Sequence, residues 1–92
     1  SEKFYDLSYW RLTTGVEVDF VLGASQAAVE VKGKDNVMAS DLKGLREFRR
    51  EYPDVKALIV VSLEPRARLT DDGICILPYQ DFLEGLWEGR WI

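Results

Sequence analysis

Four residues in the stretch "VEVDFVLGASQAAVEVKGK", residues 16 to 34, carry groups that can do chemistry: Glu17, Asp19, Glu30 and Lys32. Both halves of the stretch alternate apolar and polar residues, the pattern of strands with one face in a core. Val16, Val18, Phe20 and Leu22 fall on one face of the first strand, and Glu17, Asp19 and Val21 on the other. In the second, Val29 and Val31 point one way, and Ala28, Glu30 and Lys32 the other. If Val18 and Val29 enter the same core, pairing register gathers the acids and the lysine on one patch. Close carboxylates repel unless a cation joins them. Magnesium, or manganese in its place, suits such a patch, because it takes oxygen ligands and often needs only one or two carboxylates plus water. Such an ion neutralises phosphoryl charge and acidifies a bound water. A lysine beside it can steady developing negative charge. The plainer alternative is a set of solvated charges on the open side of a sheet.

The rest of the chain narrows the chemistry further. Its 92 residues, 47% hydrophobic and 30% charged, suit one globular domain, 1–92, with a modest core. There is no histidine, which removes serine–histidine and cysteine–histidine catalysis and most zinc sites. The single cysteine, Cys75 in "GICILPY", reads as a small buried hydrophobe. A reducing, cytoplasmic setting is the expectation, with no membrane span and no signal-peptide pattern. A net charge of −4 weighs mildly against broad nucleic-acid binding. The basic residues are uneven, however: Lys43, Arg46, Arg49 and Arg50 cluster, and so do Arg66 and Arg68.

The elements that must position these groups follow from periodicity and turn chemistry. "LSYWRLT" (7 to 13), "VEVDFVL" (16 to 22) and "AAVEVK" (27 to 32) read as three strands of an antiparallel meander. "SDLKGLREFRREY" reads as a helix capped by Ser40, with an apolar stripe of Leu42, Leu45, Phe48 and Tyr52 and a stop at Pro53. "VKALIVVSL" (55 to 63) is a strand covered on both faces. "EPRARLTDDG" is a loop, part of which could extend the strand, and "ICILP" (74 to 78) is a further short strand. "YQDFLEGLWEG" closes the chain as a helix expected to turn Phe82, Leu83, Leu86 and Trp87 inward. The result is an α/β fold: a mixed five-stranded sheet with a right-handed crossover helix and helices on its faces.

Asp19 followed by Glu30-Val31-Lys32 resembles the PD-(D/E)xK nuclease superfamily, which includes restriction endonucleases and Holliday-junction resolvases. That resemblance implies an αβββαβ core with Asp19 and Glu30 holding a metal, Glu17 as a further ligand, and Lys32 assisting the attacking water. Two departures stand out. Val18 occupies the position of the motif proline, and the first core helix is expected to lie upstream of Ser1. An apolar face left open by that helix would invite a homodimer. More closely, "YWRLTTGVEVDFVLG", "AVEVKG", "DLKGLREFRREYP" and "VVSLEPRARLTDDGICILPYQDFLEGLW" resemble the C-terminal domain of unknown function of bacterial and archaeal AAA-type ATPases. This likeness runs from about Tyr9 to Trp87 and implies that the chain is the C-terminal piece of such an ATPase, with its own upstream ATPase domain as a partner.

Two readings compete for the remaining candidates. Lys43, Arg46, Arg49 and Arg50 could contact DNA phosphates beside a nuclease-like site, or form a solvated helix face with Glu47 and Glu51 interleaved. Arg66 and Arg68 read as surface charges that could also touch DNA or the ATPase domain. Tyr9, Trp10, Trp87 and Trp91 read as core or docking aromatics rather than base-stacking platforms, and Tyr79 carries no special signal. Either the domain is a magnesium-dependent DNA endonuclease, or it is an inactive DNA- or protein-docking or oligomerisation module.

Overall fold

The computed structural model describes residues 7–11, 17–22 and 27–90. Strands β1 (Leu7–Arg11), β2 (Glu17–Leu22) and β3 (Ala27–Val31) form the expected antiparallel meander. Helix α1 (Lys43–Glu51) then crosses to β4 (Ala57–Ser62), which pairs with β3 in parallel. Strand β6 (Ile74–Pro78) pairs in parallel with β4, and α2 (Tyr79–Trp87) follows it. The five expected strands are all present. A sixth, β5 (Arg68–Leu69), forms within the segment read as loop and pairs antiparallel with β6. The sheet order is β1-β2-β3-β4-β6-β5. Gly73, at φ 90°, permits the β5–β6 turn, which Thr70 closes by accepting the Gly73 N–H at 3.0 Å through its carbonyl.

Strands β3 and β4 are buried on both faces, which is why the sequence of β4 does not alternate. Leu58 and Val60 join Val21, Ala28, Ile74 and Ile76 beneath Leu42, Leu45 and Phe48 on the α1 side. Ile59 and Val61 join Leu22, Ala27, Val29 and Phe82 on the α2 side. Helix α1 presents the expected stripe, with Leu45 and Phe48 fully buried and Tyr52 stacked at 4.8 Å from the Phe48 ring. Its start differs from expectation. A 3-10 turn, Ala39–Leu42, precedes it, and the side chain of Asp41 rather than Ser40 accepts the Met38 N–H, at 2.8 Å. A carboxylate there suits the positive end of the helix dipole.

Helix α2 corrects a second expectation. Phe82 and Gly85 are buried and Leu86 is half-buried, whereas Leu83 and Trp87 are 56% and 72% exposed. The apolar arc of this helix is wider than its contact with β4 and β6 can cover, so one edge faces outward. The helix ends in a Schellman turn, with the Arg90 N–H donating to Gly85 O at 2.9 Å, the Gly89 N–H to Leu86 O at 3.0 Å, and Gly89 at φ 69°. No helix among the described residues is long and apolar enough to cross a membrane.

Candidate functional site

Strands β2 and β3 pair through Phe20↔Val29, Val21↔Ala28 and Leu22↔Ala27. One step further in the same register sets Asp19 opposite Glu30. Val21 and Ala28 belong to the core under α1, so the period of two puts Asp19 and Glu30 on that same face. The acids therefore do not stand on an open face, as a solvated set would. They sit where the α1-covered core reaches the carboxyl end of β3. The backbone of Glu17 lies one alternation further along β2, paired with Arg11; its side chain lies outside the described residues.

Asp19 and Glu30 are held differently. The Asp19 carboxylate accepts the backbone N–H of Val31 at 2.7 Å. One of its oxygens thus continues the β2–β3 ladder. Glu30 is buried, at 9% exposure, in parallel register with Val60 of β4. The Lys32 ammonium lies 3.6 Å from Glu30 Oε1. Lys32 is itself fixed at its backbone, where its N–H donates to Val61 O at 2.8 Å. Asp19, Glu30 and Lys32 are thereby brought to one end of the sheet. Among the described residues, no three histidine, cysteine or acidic side chains come together as a metal-holding group.

Two carboxylates that sequence reasoning missed tie down the loop that follows Lys32. Asp41 accepts the Lys34 ammonium at 2.8 Å as well as the Met38 N–H. Its carboxyl is held below the usual range, first by the Lys34 hydrogen bond, then by the Met38 N–H, with the Lys32 charge adding to the effect. Glu64, only 7% exposed, accepts Arg68 in two-pronged fashion, Nε to Oε1 at 2.8 Å and Nη2 to Oε2 at 2.9 Å. It also accepts the Val37 N–H at 2.7 Å, while Arg68 Nη2 donates to Val37 O at 3.0 Å. The Arg68 hydrogen bond is the chief cause that lowers the Glu64 carboxyl below its ordinary range, and the Val37 N–H adds to it. Arg68 is therefore not surface decoration. It neutralises a buried acid that ties the loop between β3 and α1 to the end of β4. A buried glutamate in "SLEPRARL" leaves no periodic trace, and only its offset of four from Arg68 hints at the pair.

The basic residues of α1 lie elsewhere. Arg46 Nε and Arg49 Nη2 both reach Asp72 Oδ2 at 2.9 Å, and Arg49 also donates to the Asp72 carbonyl. Arg46, then Thr70, whose hydroxyl donates to Asp72 at 2.7 Å, hold the Asp72 carboxyl far below its usual value. Arg50 pairs with Glu47 at 2.9 Å. Asp72 sits in the turn that leads into β6, at the amino end of the parallel strands, whereas Glu30 and Lys32 lie at the carboxyl end. Helix α1 runs between these ends, so Lys43 starts near the acids while Arg46, Arg49 and Arg50 lead away from them. Cys75 is half-buried against the α2-side core, and desolvation pushes its thiol up. Trp87 and Tyr79 are exposed. The side chains of Tyr9 and Trp10, and Trp91 as a whole, fall outside the described residues. A cleft of about 290 Å³ lies apart from Glu30, between Ala67, Leu77, Asp81, Glu84 and Arg90.

The family model described as Domain of unknown function (DUF4143) matches residues 1–82. No curated protein and no solved structure matches the chain.

Proposed function

The chain belongs to the DUF4143 family, and from that premise together with the carboxylate and ammonium geometry we propose that it is a nuclease-type domain hydrolysing phosphodiesters on DNA. The single observation that carries this reading is the buried Glu30, with the Lys32 ammonium 3.6 Å from its Oε1, at the position that the β2–β3 register sets opposite Asp19. A carboxylate and an ammonium held at the carboxyl end of an interior strand form a preorganised polar site. Two carboxylates on neighbouring strands offer hard oxygen donors, the donor type that magnesium or manganese takes. Asp19 and Glu30 would hold that ion, with Glu17 as a further ligand; bound, it would supply charge neutralisation and an acidified water. Lys32 would orient the attacking water and steady the charge developing on the phosphate. The resemblance to the C-terminal domain of AAA-type ATPases supports a place beside an ATPase domain, in the cytoplasm.

A second reading is favoured by how Asp19 is used. One of its oxygens serves the β2–β3 ladder, and no third acid joins it among the described residues. The domain would then bind DNA or a protein without cutting, with Lys43, Arg46, Arg49 and Arg50 as its phosphate contacts.

Manganese titration followed by amide NMR tests the site. Paramagnetic broadening centred on Asp19, Glu30 and Val31, absent in Asp19→Asn, together with magnesium-dependent DNA cleavage lost in Lys32→Met, is the expected result. The absence of local broadening would overturn the metal site. DNA binding that persists without cleavage, and that falls steeply in Arg46→Glu with Arg49→Glu, would put the docking reading first.

A further inference from the structure

Three cations follow one another along the rim at the carboxyl ends of the parallel strands, on the α1 side. The loop after β3 carries two of them. Lys32 is fixed beside Val61 by its own N–H, and Lys34 beside Leu63, whose N–H its carbonyl accepts at 2.9 Å. The same loop then reaches the third cation at Val37, whose carbonyl accepts Arg68 Nη2 at 3.0 Å. The sheet register agrees with this path. Glu30, Val60, Ile76 and Arg68 are successive cross-strand partners from β3 to β5. Val60 and Ile76 belong to the core under α1, so Glu30 and Arg68 lie on that face as well. Three strand spacings separate them, about 14 Å. That is roughly four nucleotides at the rise of about 3.4 Å along a stacked strand.

Each cation is backed by a carboxylate more deeply buried than itself. The side chains of Lys32, Lys34 and Arg68 are 32%, 42% and 46% exposed, against 11%, 13% and 8% for their partners Glu30, Asp41 and Glu64. The acids fix the charged heads from the protein side and leave them open to solvent. The arginines of α1 are arranged otherwise: Arg46 and Arg49 share Asp72, which is about as exposed as they are. An ammonium has three N–H donors and a guanidinium five. Lys34 gives one to Asp41, and Arg68 uses Nε and Nη2 on Glu64 and Val37, with no bond from Nη1 among the described residues. Asp35 on the same loop is exposed and acidic, and the whole chain carries −4. The rim therefore attracts through fixed donors and not through a broad positive field.

We propose that Lys32, Lys34 and Arg68 form a track for the phosphates of one DNA strand, leading from the Asp19–Glu30 site across the ends of β4 and β6 to β5. A single row of cations matches the single row of phosphates that positions a strand. Lys34 and Arg68 hold phosphates that flank the one at Lys32 and so set the strand's register over the site. The track rests on the hydrolytic reading for its substrate and adds the path of the strand, away from the arginines of α1.

The test is binding of a fluorescent single-stranded oligothymidylate to the 92-residue chain in EDTA, where hydrolysis does not contribute, over a range of salt concentrations. The logarithm of affinity falls linearly with that of salt, and Lys34→Gln is expected to flatten the slope by about 0.7, the share of one phosphate on a single strand. Glu64→Gln with Arg68→Gln, which removes the buried acid together with its partner, is expected to flatten it as well. Arg46→Glu with Arg49→Glu leaves the slope unchanged. Amide spectra that keep the wild-type pattern away from the rim show that the variants are folded. A slope indifferent to Lys34, or binding lost with Arg46 and Arg49 instead, overturns the track. A chain that binds no oligonucleotide overturns it too, and manganese broadening at Asp19 then decides separately whether the hydrolytic reading survives. Rim-dependent binding without magnesium-dependent cleavage supports the track and removes the hydrolytic reading.

Discussion

Asp19 and Glu30 are both strand acids, yet their surroundings give them separate physical roles. Asp19 accepts the Val31 N–H, so the oxygen matters to the ladder and the charge does not. Asp19→Asn keeps an acceptor and is expected to change the unfolding free energy, read from urea denaturation, by no more than about 0.5 kcal/mol. Asp19→Ala removes the acceptor and is expected to cost about 1 kcal/mol. Equal costs for the two substitutions would show that the hydrogen bond contributes nothing. The same pair separates stability from ion binding, because both substitutions remove a ligand charge. If Asp19 and Glu30 hold magnesium with a millimolar dissociation constant, tenfold excess of the ion stabilises the native state by about 1.4 kcal/mol. A domain of this size then melts roughly 6 °C higher or more, and Asp19→Asn abolishes that rise. A melt unchanged by magnesium in the wild-type chain would count against the ion. The alternation that set Asp19 and Glu30 on one face was plain in the sequence. The Val31 bond was not, because nothing in an alternating pattern says which side chain leaves the face to serve a neighbouring backbone.

At the scale of elements, three loop or turn carboxylates hold the pieces together, and all three are lowered. Asp41 starts the 3-10 turn before α1, Glu64 pins Val37 to the end of β4, and Asp72 fastens the β5–β6 turn to α1. A depressed carboxyl contributes stability that is complete above its unfolded value and is lost as pH falls through its folded value. The ordinary values are 4.5 for Glu64 and 3.8 for Asp41 and Asp72, so these anchors weaken only in acid. The Val37 amide proton reports Glu64 directly. Its NMR shift is expected to titrate with a midpoint below 4.5, and the midpoint should rise in Arg68→Met, which removes the main cause of the lowering. A midpoint indifferent to Arg68 would remove this account. Asp72→Asn should destabilise the chain at neutral pH, and the gap from wild type should close steadily below pH 3.8. The order of strands and helices was legible because periodicity and turn residues mark it. The anchors were not, since Glu64, Arg68 and Asp72 sit in segments without a period. The outward turn of Leu83 and Trp87 was hidden for another reason. A helix with apolar residues at 79, 82, 83, 86 and 87 has an arc wide enough to bury along either edge, and only packing chooses.

At the scale of the whole molecule, a single sheet separates two small cores, and β4 belongs to both. Ile59 is fully buried on the α2 side and Val60 on the α1 side. Neither core can persist without the strand that forms its floor, so the two layers are expected to unfold together. Ile59→Ala should cost about 2–5 kcal/mol, a large share of the roughly 5–15 kcal/mol that holds a domain folded. Leu45→Ala, on the other side of the sheet and also fully buried, should cost a similar amount. In a molecule with one cooperative unit, each substitution lowers the same transition, and far-UV circular dichroism and tryptophan fluorescence trace coincident curves in urea. Separate transitions, with Leu45→Ala moving only one, would mean that α1 and its core can open while β4 and α2 stay closed. That outcome would bear on the site as well. Asp19 and Glu30 lie on the α1-covered face, so an independently opening α1 layer would expose them to solvent without unfolding α2. Coincident curves would instead tie the acidic site and α2 to one folding equilibrium, so that a ligand at the site stabilises both layers.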